Sequence, residues 1–124
     1  MNTERLIQGE NERHKLALKT IEACKGLEHL VWHIDGLCVF TNDLSINEVT
    51  DALHEFKKCW GLYYIVHYYM SSDRLAIQYH FKNCDRQLCV FCTDAEEMLE
   101  KISGGKCRVE KSVKKVSKVV CERV

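Results

Sequence analysis

Proline is absent from the 124 residues, glycine occurs six times, and Lys plus Arg balance Asp plus Glu at 18 each. Average usage would place about six prolines in a chain of this length, but their absence does not by itself point to a function. The lack of net charge argues against an acidic or basic tail protein, and a 46% hydrophobic content argues against disorder and collagen-like sequence. No apolar run is long: Leu62 to Met70 spans nine residues and includes His67, against the roughly 20 needed to cross a bilayer. The first 25 residues contain no apolar stretch resembling a signal peptide. The expectation is a cytoplasmic chain with no membrane contact. The sequence also lacks a phosphate-cradling Gly-rich loop, a nucleophile elbow and a helically spaced carboxylate pair. No catalytic role is assigned to any residue, and no cofactor is expected.

What is present suits one domain, since a chain of this size buries about two thirds of its unfolded surface. The eight cysteines make up about 6% of the chain, below the 8 to 10% that marks a disulfide scaffold. Eight free, reduced thiols are expected in a reducing compartment. If they were oxidised, 105 pairings would be open and the sequence could not choose among them.

Residues 1–12 are polar and read as a flexible lead-in. Helical spacing begins near Arg13, with Ala17, Thr20, Ile21 and Cys24 on one stripe before Gly26. Two alternating runs flank Asp35-Gly36, a strong hairpin signal. Ser45 and Glu48 form a capping box, and Ile46, Val49, Leu53, Phe56 and Trp60 follow at spacings of three and four. Leu62 to Met70 and Arg74 to Lys82 alternate around Ser71-Ser72 as a second hairpin. Leu88 to Cys92 is a further strand; Thr93 with Glu96 then reads as a second capping box, for a helix that stops at Gly104-Gly105. Residues 106–124 are Val-rich and fit either a helix or strands, with a strand favoured near Cys107 to Lys111. This order predicts a single α+β domain over residues 1–124, built as a mostly antiparallel sheet of five or six strands with helices packed on one face.

With Asp35-Gly36 and Ser71-Ser72 as turn centres, Ile34 pairs with Leu37, Trp32 with Val39, Tyr68 with Leu75 and Val66 with Ile77. The expected core is then Trp32, Val39, Leu53, Phe56, Val66, Ile77 and Phe81. The other face of the second hairpin would carry Tyr63, Ile65, His67 and Tyr69 beside Arg74. It is too aromatic for ordinary solvated sheet, so it is either a partner surface or is covered by the C-terminal segment.

Three further patterns carry chemistry. His80, Cys84, Cys89 and Cys92 supply four soft ligands of the kind a structural zinc takes, although in a strand Cys89 and Cys92 point to opposite faces. The same Cys89 and Cys92 could form a redox pair, and His33 could meet Cys38 across the first hairpin. Residues 106–124 hold seven basic residues against two acidic, which leaves −5 on the remainder. Lys111, Lys114, Lys115, Lys118 and Arg123 are therefore candidate phosphate contacts.

The expected function is that of a small non-enzymatic protein that binds a protein partner or a second copy of itself. By analogy of size and lack of motifs, it resembles inhibitors of host machinery carried by phages and other mobile elements. The alternatives are a nucleic-acid binder that uses the basic segment and a small zinc-binding domain.

Overall fold

The computed structural model describes residues 3–111 and 117–122, with the backbone alone for residues 3–8 and 10. Helix α1 is Thr3–Ala23, followed by a short 3-10 turn at Glu28–Leu30, strands β1 (Val31–Asp35) and β2 (Cys38–Leu44), and helix α2 (Ile46–Trp60). Strands β3 (Tyr63–Ser71), β4 (Arg74–Phe81) and β5 (Gln87–Cys92) come next. Helix α3 (Ala95–Ser103) and strands β6 (Cys107–Lys111) and β7 (Ser117–Cys121) complete the order.

Local chemistry fixes α2. Ser45 Oγ accepts a bond from the Glu48 amide at 3.3 Å, and the Glu48 carboxylate accepts one from the Ser45 amide at 3.0 Å. The Ser45 amide, and with it the Ser45 hydroxyl, holds the Glu48 carboxyl below the usual carboxylate range. The Asp94 carboxylate accepts from the Ile46 amide at 2.8 Å, so a residue beside α3 satisfies another free donor of α2. The stripe of Val49, Ala52, Leu53, Phe56 and Trp60 is buried.

That stripe packs on one face of a five-stranded sheet of order β1-β2-β5-β4-β3. All neighbours are antiparallel except β2 and β5, which run parallel. Leu88, Val90 and Cys92 of β5 and Leu75, Ile77, Tyr79 and Phe81 of β4 point into the same core, as period-two alternation requires. Met98 and Leu99 of α3, Cys24 at the end of α1 and Cys107 of β6 join it. The fold is α+β, with its helices on one face of the sheet.

Both hairpin registers differ from the expected ones. Asp35 pairs with Cys38, so the turn centres are Gly36-Leu37. Gly36 carries a φ of 59° and Leu37 is not in the left-handed region, which is the II′ pattern rather than I′. A bulge between Val31 and His33 then takes Trp32 out of the ladder, and its side chain is 65% exposed instead of lying in the core. In the second hairpin Ser71 pairs with Arg74 around Ser72-Asp73, so Met70 faces Leu75 and Tyr68 faces Ile77. A second bulge, between Ile65 and His67, leaves Val66 without a partner on β4 and exposed, not in the core. Beyond it the alternation flips, because one extra residue exchanges the two faces. Tyr63 thus lies opposite Phe81 and its ring meets Tyr79 edge-on at 5.2 Å.

Helix α1 starts at Thr3 rather than near Arg13, so most of the expected lead-in is helical. Its end is anchored by the Thr20 hydroxyl, 2.7 Å from the Gly36 carbonyl, and by Trp60 Nε1, which donates to the Ala23 carbonyl at 3.1 Å. At α3 the N-cap is Asp94, without a side-chain cap bond, and Thr93 Oγ1 instead donates to the Leu44 carbonyl at 3.2 Å. The described residues of the C-terminal segment pair as β6 and β7; Val109 and Val119 pack on the main core, and β7 also lines a groove with residues 66–70 of β3. The β6–β7 register sets Cys107 opposite Cys121, and the two are joined by a disulfide. The expectation of eight free thiols is therefore corrected: six cysteines are free.

Candidate protein-binding face

The sheet face turned away from the helices carries its own small cluster. Ala76, Cys89 and Phe91 are buried there, with Cys38 and Phe40 packed against them. Among the described residues, the buried apolar side chains of α2 and α3 belong to the other cluster. Phe91 and Cys89 reach this face because they alternate with Leu88, Val90 and Cys92 along a central strand.

A row of side chains crosses all five strands. On β1 the Trp32 and His33 rings lie 5.7 Å apart, and His33 meets Phe40 of β2 at 5.8 Å. Phe40 stacks near-parallel on Phe91 of β5 at 6.2 Å. The Arg74 guanidinium of β4 sits 3.9 Å over the Phe91 ring and continues to the Asp43 carboxylate on β2. It thereby spans β5 and pins the ring from above. The Arg74 Nε is buried and finds no hydrogen-bond partner among the described residues. On β3, Tyr69 lies beside Ala76, whose small side chain lets the Tyr69 hydroxyl pair with the Cys89 thiol. His67 stacks on Tyr69 at 5.5 Å.

Burial disfavours the thiolate form of the two thiols on this face. Burial pushes Cys38 up to about 11 and also raises Cys89, while the Tyr69 hydrogen bond and Arg74 pull Cys89 partly back. The thiolate is the reactive form, so both shifts lower their reactivity. Cys38 lies beside Asp35 and Gln87, whereas His33 faces Phe40, so the register does not set up a His33-Cys38 dyad. Cys89 packs on the outer cluster and Cys92 in the main core, which removes the redox pair. The same separation breaks up the zinc set: His80 sits opposite Tyr64 on the outer side, and Cys84 packs at the margin of the main core. Among the described residues, no three His, Cys, Asp or Glu side chains come together to hold a metal.

Of the expected partner residues, His67, Tyr69 and Arg74 share the outer face. Tyr63 turns to the core side, and Ile65 opposes the buried Tyr79. Trp32 and Phe91 also belong to the row, with Phe40 between them, and neither is marked by the sequence pattern as a residue of this face. Locating the turn by the single positive-φ glycine would have placed Phe40 beside His33. Among the basic candidates, Lys111 lies on β6, and Lys118 on β7 lines a groove together with Val66, His67 and Tyr69 of β3. Glu110 sits 3.9 Å from Lys118 and 3.7 Å from Arg108, which offsets their charge locally. Lys114, Lys115 and Arg123 lie outside the described residues. No helix of the described residues is long and apolar enough to cross a membrane.

No protein-family model, curated protein or solved structure matches the chain.

Proposed function

We propose that the chain is a small non-enzymatic binding protein that acts by covering a surface of another protein, with the outer sheet face as its contact. The observation that carries this reading is the 65% exposed Trp32 at the head of a row that also holds Phe40, Phe91, Tyr69 and Arg74. Trp, Tyr and Arg are the residues in which binding energy concentrates at protein interfaces. The row is preorganised, since Arg74 is fixed between Phe91 and Asp43, so docking loses less side-chain entropy. An inhibitor of cellular machinery, of the sort carried by phages and mobile elements, is the form of this function we propose, because the face offers occupancy rather than turnover.

A nuclease-treated capture experiment tests the class. The immobilised chain is expected to retain the same protein from nuclease-treated and untreated extract, and Trp32→Ala is expected to lose it. Retention that disappears with nuclease would replace this reading with the nucleic-acid one, and capture unchanged in Trp32→Ala would move the contact off this face.

A further inference from the structure

We propose that the Cys107–Cys121 disulfide is a thiol-exchange site: a small thiol or dithiol reductant opens it at Cys121, and its opening releases β7 from β3. The two sulfurs are unequally placed. Cys107 is 8% exposed and belongs to the main core, whereas Cys121 is exposed at the end of β7. Exchange depends on which sulfur an incoming thiolate can reach, and the other sulfur then leaves. Exposure makes Cys121 the attacked sulfur and Cys107 the leaving one.

The leaving position is prepared for negative charge. The Tyr68 hydroxyl of β3 lies 3.3 Å from Cys107 Sγ, and a disulfide sulfur carries no proton, so Tyr68 is the donor. A hydrogen bond to a developing thiolate stabilises it, and a more stable thiolate leaves faster. In the first step the reductant's thiolate bonds to Cys121 Sγ, the S–S bond breaks, and its electron pair goes to Cys107 Sγ. A second thiol, or the second sulfur of a dithiol, then attacks the reductant's sulfur in the mixed disulfide and releases Cys121. The protein disulfide has gained two electrons, the two protons of the reductant's thiols end on Cys107 and Cys121, and the reductant leaves as its own disulfide.

The same bond holds β7 in place. Among the described residues β7 pairs with β6 alone, outside the five-stranded sheet, and a two-stranded ribbon is marginally stable by itself. β6 has anchors of its own, since Cys107 sits in the core and its amide donates to Ser103 Oγ at 3.1 Å. β7 reaches the body through Val119 and through the groove it lines with residues 66–70 of β3. Its exposed Lys118–Glu110 pair, at 3.9 Å, adds little. Bridging positions 14 apart in sequence favours the closed form on the order of a hundredfold in the chain-entropy account. Opening the bond therefore loosens β7 while β6 stays, and widens the groove along β3.

This inference does not rest on the outer-face reading, because its readouts need no partner. Dithiothreitol without denaturant, followed by a denaturing quench and alkylation, is expected to raise the alkylated cysteines from six to all eight. The rate should rise in proportion to reductant; a rate that levels off at that of global unfolding would overturn the proposal. Reduced glutathione with acid quenching is expected to trap the mixed disulfide on Cys121, and trapping on Cys107 would overturn it. Tyr68→Phe should slow the exchange about threefold. Destabilisation alone would speed it, so an unchanged or faster rate removes Tyr68 from the step and overturns this leaving-group assignment. Hydrogen exchange reads the consequence: β7 amides should exchange at least about tenfold faster after reduction while those of β4 and β5 keep their protection. β7 protection that survives reduction would overturn the proposal.

Discussion

Replacing Phe56 by alanine is expected to lower unfolding stability by about 3–5 kcal/mol, which approaches the entire stability of an ordinary domain. The ring is fully buried. It meets Trp60 edge-on at 4.8 Å, and Trp60 in turn meets Phe81 of β4 at 5.0 Å. Truncation therefore opens a cavity at the junction of α2 and the sheet, where Trp60 is held by its bond to Ala23 and cannot easily collapse inward. Phe56→Leu keeps most of the volume and should cost less. Urea unfolding checks both; an unchanged midpoint in Phe56→Ala would remove this contact from the core.

Trp32→Ala is expected to have its large effect on binding instead. Truncating an aromatic anchor commonly costs 2 kcal/mol or more, on the order of thirtyfold in affinity. Trp32 lies at a bulge and is exposed, so its loss should leave the unfolding free energy within about 0.5 kcal/mol of the parent. Arg74→Ala should act differently, because the side chain also ties β4 to β2 across Phe91. It is expected to weaken both association and folding. Calorimetric titration beside urea unfolding separates the two variants, and a Trp32→Ala chain with a lowered midpoint and parental affinity would contradict the assignment.

The contrast between Phe56 and Trp32 also marks how far the sequence could be read. The signals that mark α2 are local: a capping box within four residues and an apolar stripe over four turns, both of which the structure contains. The element order through β6 was legible for the same reason, as were Val39, Leu53, Ile77 and Phe81 in the core, while β7 was not. Register was less accessible, because it turns on which residue takes the positive φ and on where a bulge interrupts the ladder. Shifting the first turn by one residue and adding a bulge at Trp32 turns the largest presumed core residue outward. A bulge at Val66 likewise divides the expected partner face, leaving Tyr69 outside and sending Tyr63 in. The Asp94 bond to Ile46 and the Cys107–Cys121 disulfide join residues through tertiary placement, which spacing along the chain does not encode.

The chain's two tryptophans allow the central claim to be tested in one measurement. Trp32 is exposed on the outer face, while Trp60 is buried among Phe56, Phe81 and the Ala23 carbonyl. Labelled with 5-fluorotryptophan, the chain gives one ¹⁹F resonance for each, and Trp32→Phe identifies the first by its disappearance. When the captured protein is added unlabelled to saturation, the Trp32 resonance is expected to shift and lose its sensitivity to solvent while that of Trp60 stays in place. A Trp32 resonance that keeps its position and solvent sensitivity in the saturated complex would contradict the account.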